Sequence, residues 1–159
     1  MGEAGYKIQE TRCRIQDIGN RIQETGERFC ENKMMKKMSR HNFKNLDVWK
    51  LSRELCKEVY EVTTSFPTAE KFALTSQIRR CVISISSNIA EGTSRTSDKD
   101  FARFIEISLG SCFELETQII LANDIGFLNE EKAVLLQNKL QKIQKMLQGL
   151  YNRIQKSNS

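Results

Sequence analysis

The stretch that decides the fold runs from Ser97 to Gly126 and reads SDKDFARFIEISLGSCFELETQIILANDIG. It opens on Ser97 with Asp98 and Asp100 close behind, and it closes on Gly126. A Ser cap, first-turn acids and a terminal Gly are the punctuation of a helix. Between them lie Phe101, Phe104, Ile105, Ile107, Leu109, Cys112, Phe113, Leu115, Ile119 and Ile120, with no Pro. The spacing predicts one long helix from Ser97 or Asp98 to Asp124. Its apolar residues cover far more than the roughly 100° stripe that one core needs.

Three further segments carry the same helical period on either side. Helix one is expected from about Phe43 to Ser65, where Leu46, Trp49, Cys56, Val59, Tyr60 and Thr63 recur at three- and four-residue steps. Phe66-Pro67 ends it, because a residue before Pro resists helical geometry. Helix two is expected from Ala69 or Ala73 to Glu91, closed by Gly92 as a left-handed cap. Its core stripe is Leu74, Ile78, Cys81, Val82, Ile85 and Ile89. Helix four is expected from Asn129 to about Gln155, with Leu136, Leu140, Ile143, Met146, Leu147, Leu150 and Ile154 on one arc. Four long helices with short connections pack as an all-α, antiparallel, up-down-up-down four-helix bundle over residues 41–159.

The composition agrees. The chain has 159 residues with one Pro, one His and 28% charged residues, which favours long helices over many strands and turns. With His41 alone, a His-based metal cage or a two-His acid–base pair is excluded. The cysteines Cys13, Cys30, Cys56, Cys81 and Cys112 form no C-x-x-C pair, which argues against zinc and thioredoxin-like sites. They read as small thiols in a reducing cytoplasm. No apolar run approaches the length of a membrane span, and the charged N-terminus does not read as a signal peptide. No cofactor is expected.

Residues 1–40 read as a separate tail, weakly helical or disordered. A seven-residue repeat places Ile8, Ile15, Ile22 and Phe29 at one heptad position, but Gly19 and Gly26 interrupt it. The tail holds nine Lys/Arg and six Asp/Glu, so +3 of the net +5 belongs to it. Met34, Met35 and Met38 are candidate internal starts.

The body resembles the four-helix-bundle proteins encoded in intervening sequences of bacterial 23S rRNA genes. The residues that carry the resemblance are Phe43-Lys44-Asn45-Leu46-Asp47-Val48-Trp49 and Leu74-Thr75-Ser76-Gln77-Ile78-Arg79-Arg80. To these are added Ser84-Ile85-Ser86-Ser87-Asn88-Ile89-Ala90-Glu91-Gly92, Leu109-Gly110-Ser111 and Glu114-Leu115-Glu116-Thr117-Gln118. The family usually has Pro where Ser86 or Ser87 stands, so helix two is expected to be more regular here. The resemblance implies a cytoplasmic, non-enzymatic bundle that forms homopentameric rings. It also implies kinship with the accessory variability determinant of diversity-generating retroelements, which binds a reverse transcriptase and nucleic acid. A reverse-transcriptase-type protein or RNA is therefore an expected partner.

Candidate functional residues fall into three sets. Helix four has no acid after Glu131, and Lys132, Lys139, Lys142, Lys145, Arg153 and Lys156 lie beside its apolar arc. With Arg79 and Arg80 they form a candidate phosphate-contacting strip, since Lys and Arg hold phosphates without reading sequence, while Arg79 and Arg80 equally suit pairing with Glu or Asp across an interface. The same cations also suit a solvated face at a helix C-terminus. No aromatic residues interleave with them, so a base-stacking platform is not indicated. The second set, Phe72, Ile83, Ala90, Ile107, Phe113 and Ile120, is surplus apolar surface and a candidate subunit interface. The third is polar: Asn88 and Glu116 fall on core edges, and Glu116 is expected either to accept a hydrogen bond, with Asn88 or Gln77 as donors, or to face a subunit contact. Glu91 is expected to make a structural hydrogen bond. The leading reading is an oligomeric, non-enzymatic adaptor associated with RNA or a ribonucleoprotein; the alternative is a purely protein-binding scaffold.

Overall fold

The computed structural model describes residues 42–156. The expectations made for the tail, its heptads and His41 lie outside the described residues. Four α-helices follow in order: α1 (Asp47–Val62), α2 (Leu74–Thr93), α3 (Asp98–Asp124) and α4 (Glu130–Lys156). No strand occurs among the described residues. Each helix packs on its chain neighbours, and α4 returns to pack on α1, so the four close into a bundle.

The caps are local and legible. Ser97 Oγ accepts the Asp100 N–H at 3.0 Å and donates to its carboxylate at 2.6 Å, a reciprocal cap for α3. Gly126, at φ 80°, turns the chain out of α3, and the Phe127 and Leu128 N–H groups both reach back to the Ala122 carbonyl. Asn129 Oδ1 accepts the Lys132 N–H at 2.9 Å to start α4. Between α1 and α2, Pro67 leads into a 3-10 turn over Thr68–Phe72, and Glu70 accepts the Leu74 N–H at 3.3 Å. Phe66 and Phe127 meet at 5.9 Å and tie this corner to the α3–α4 connection.

The core is fully enclosed. Leu55 and Val59 from α1, Val82, Ile85 and Ile89 from α2, Ile105, Cys112 and Leu115 from α3, and Leu140, Ile143 and Leu147 from α4 have no exposed surface. Burying each large aliphatic side chain contributes about 1.5–3 kcal/mol. The expected stripes of helices two and four are the observed ones, save that Leu74, Met146 and Leu150 are only half-buried.

Two expectations are corrected. The buried edge of α1 is Val48, Ser52, Leu55 and Val59, continuing to Thr63, whereas Trp49 and Cys56 are half-buried and Tyr60 is exposed. Ser52 hid this stripe: it is polar but fully buried, because its hydroxyl donates to the Val48 carbonyl at 2.7 Å. Gly92 is not a left-handed cap. It lies inside α2, which runs on to Thr93, and its φ is not positive. Its lack of a side chain serves packing instead: a Cβ there would stand 2.8 Å from Phe101 Cδ2 and 2.9 Å from Phe104 Cβ. Close approach of α2 and α3 requires the glycine.

Candidate functional site

The α2–α3 contact is built from small polar residues. Ser108 Oγ donates to the Ile85 carbonyl at 2.9 Å, and the Ser84 and Ser111 hydroxyls meet at 2.9 Å. Asn88 Nδ2 donates to the Ser84 carbonyl at 2.8 Å and to its hydroxyl at 2.9 Å. Asn88 is thus half-buried and satisfied within α2, and it does not reach Glu116. Glu116 accepts instead from Gln144 Nε2 of α4 at 2.8 Å. The reason is rotational. Glu116 lies on the α4-facing edge of α3, while Gln118 and Ser111, about 140–160° around the helix, face α2. Neither Asn88 nor Gln77 shares an edge with Glu116. Gln118, passed over by the sequence reading, is buried with Oε1 unbonded, while its amide donates to Glu114 at 3.1 Å.

The thiols are chemically quiet. Burial pushes Cys81 up to about 12, aided by a hydrogen bond that its thiol donates to the neighbouring Glu114 carboxylate. Burial likewise pushes Cys112 up to about 12, with the Glu116 charge adding to it. Burial also raises Cys56. A thiolate is the reactive form, so none of the three is a neutral-pH nucleophile. Tyr151 is raised because its hydroxyl donates to Glu106, which links α4 to α3. Glu91 pairs with Arg95, as expected of a structural carboxylate.

The candidate cations divide. Lys139 is half-buried and paired with Glu58 of α1. Arg79 Nε donates to Thr63 Oγ1 at 2.9 Å, and its guanidinium lies 4.7 Å from the Tyr60 ring centroid, latching α2 to the end of α1. Lys132, Lys142, Lys145, Arg153, Lys156 and Arg80 are exposed. Among these, Lys142 and Arg153 recur on one line of α4 and Lys145 and Lys156 on a second, about 60° away. Arg153 lines a cleft of about 440 Å³ between the start of α1 and the end of α4, with Asn45, Leu46, Asp47, Val48, Met146, Gly149 and Leu150. Lys142 lines an adjoining cleft of about 200 Å³ that shares Asp47 and Met146 with the first.

The candidate apolar contacts do not form one patch. Phe72 stands 87% exposed in the corner before α2, with the Lys71 ammonium 5.5 Å from its ring centroid. Ile83 is exposed and Ala90 half-buried on the α1-facing edge of α2. On α3, Ile107 lies about 120–140° from Phe113 and Ile120. Leu121 and Ile125, which the sequence reading did not single out, join the Ile107 side and are equally exposed. Their i, i+14 and i+18 spacing from Ile107 was the available signal.

These features define a class: an antiparallel four-helix bundle whose distinctive chemistry lies on its surfaces, in a helix whose charges after the first turn are all basic and in one with apolar residues exposed on two edges. The family is now fixed as well. Residues 44–149 match the model for the 23S rRNA-intervening sequence protein, and the chain belongs to that family. A solved structure of a protein of unknown function from the S23 ribosomal protein family of Bacteroides thetaiotaomicron is similar. It superposes with a TM-score of 0.62 at 25% identity, covering 65% of this chain and 97% of that one. A search of curated proteins finds no match.

Proposed function

We propose that this chain is a non-enzymatic, cytoplasmic adaptor that associates with RNA phosphate through α4 and with copies of itself through α3. The observation that carries the RNA reading is the charge segregation of α4. Its two acids, Glu130 and Glu131, both stand in the first turn, and Lys142, Lys145, Arg153 and Lys156 follow exposed along two adjacent lines. Arg79 and Lys139 are engaged within the protomer and are left out of the phosphate set.

Self-association rests on α3 and the residue that caps it, where Ile107, Phe113, Ile120, Leu121 and the cap Ile125 are each between 43% and 59% exposed. They occupy two edges of the helix. Two different patches on one protomer favour a head-to-tail contact that closes as a ring, in keeping with a homopentamer, over a two-fold dimer. The same surface supports the second reading, a purely protein-binding scaffold.

The test is anisotropy binding of the chain to a structured RNA at two salt concentrations. Four phosphate contacts per protomer imply about a hundredfold loss of affinity between about 50 and 200 mM salt. Reversing Lys142, Lys145, Arg153 and Lys156 to Glu should abolish binding while helicity persists. Binding indifferent to salt and to charge reversal would leave only the scaffold.

A further inference from the structure

The clefts beside the basic lines have a character of their own. The larger, about 440 Å³, falls within the roughly 300–1,000 Å³ range of small-molecule pockets. Leu46, Val48, Met146 and Leu150 give it apolar walls, Asn45 and Asp47 supply polar edges, and Arg153 stands on its rim. Gly149 forms part of the lining inside a 27-residue helix, seven residues before its end. There it costs about 1 kcal/mol of helix relative to Ala. Among the described residues no packing demands it, since a Cβ at Gly149 would meet none of them within 4 Å. A helical glycine that opens bare backbone onto a cleft is suited to close approach of a ligand.

We infer that this cleft receives an unpaired nucleobase of a single-stranded RNA whose backbone runs along the α4 cations. The inference rests on the phosphate reading above and sharpens it from RNA in general to single strands. The argument is one of matched chemistry. Arg153 belongs both to the phosphate line and to the cleft rim, so a phosphate held there places its own base at the opening. Lys142, on the same line, flanks the adjoining cleft that shares Met146 and Asp47. A base offers two apolar faces and a polar edge. Leu46, Met146 and Leu150 can cover the faces. The Asn45 amide can pair with the edge, and the Asp47 carboxylate can accept from an exocyclic amino group. Asp47 already accepts from Lys50 at 3.0 Å through Oδ1, and it is 81% exposed, so Oδ2 remains for that role. Duplex RNA keeps its bases stacked and cannot enter; single strands splay theirs out.

The experiment uses the full chain, fluorescein-labelled oligocytidine of about twelve residues, and a duplex of about twelve base pairs. Gly149→Leu fills the cleft from a position where the helix gains by losing glycine, and a thermal melt confirms that the variant folds. The expected result is that oligocytidine binding weakens at least about tenfold while duplex binding changes less than about twofold. Equal weakening of both RNAs, or no effect on oligocytidine, overturns the base pocket and leaves the phosphate reading standing. If the wild-type chain binds neither RNA at low salt, both readings fall together.

Discussion

Replacing Gly92 by Ala tests the closest contact in the bundle. Two terms oppose. Removing a glycine from a helix interior stabilises by about 1 kcal/mol. Against this, the new Cβ would meet Phe101 Cδ2 at 2.8 Å and Phe104 Cβ at 2.9 Å. The Phe101 ring can rotate aside only within a packed core, where Phe101 is itself buried. Phe104 Cβ is fixed to the α3 backbone, so it yields only if the helix moves. Overpacking of this kind costs about 1–3 kcal/mol, and with backbone in the way the upper half applies. The net is a loss of about 1–2 kcal/mol, or a Tm lower by about 4–10 °C for a body of this size. Gly110→Ala is the control: Gly110 lies exposed in α3, and among the described residues nothing stands within 4 Å of a Cβ there. It should raise Tm. The assay is a circular-dichroism melt of both variants at matched concentration, since self-association would shift Tm by mass action. If Gly92→Ala melts at or above the wild-type temperature, α2 and α3 are not held this closely and the argument is wrong.

The buried thiols set a pH dependence. Cys81 and Cys112 are raised to about 12 from an ordinary 9.0, so the folded chain keeps protons that the unfolded chain releases. Their contribution is therefore complete below about pH 9 and is lost as pH rises toward 12; urea midpoints should fall over that window, and less so in a Cys81→Ala/Cys112→Ala double variant. Iodoacetamide at neutral pH should label half-buried Cys56 before either of them, with full labelling only in denaturant; early labelling of Cys112 would contradict its burial. Arg79→Ala should cost about 1 kcal/mol through the lost Thr63 bond and Tyr60 stack while leaving RNA affinity within twofold, measured by melt and anisotropy together. A large affinity loss without destabilisation would return Arg79 to the phosphate set.

The fold was legible because four apolar periods, one Pro and well-marked caps all agreed. Ser97 with Asp100, Gly126 and Asn129 cap where the sequence placed them. The misreadings share a physical cause: a polar or small residue does not announce its partner. Ser52 looks like a break in the α1 stripe, yet a bond to its own helix lets it sit in the core. Gly92 reads as a terminator because most helix-ending glycines are, yet its reason for being glycine is a phenylalanine on the next helix, some nine residues away in sequence.

The site was legible only as a list of residue types. Arg79 and Arg80 are adjacent in sequence but about 100° apart on α2, so one is bound to Thr63 while the other meets solvent. Lys139 and Lys142 are likewise neighbours on α4, yet Glu58 neutralises the first. Glu58 comes from α1, 81 residues earlier, and no periodicity within α4 could reveal it. The same long-range pairing of α1 with α4 creates the cleft at Gly149. A charge count along one helix therefore overstates the unpaired cationic surface. It also misses the cleft, because a helix presents its cations alone but builds a pocket only with its neighbour.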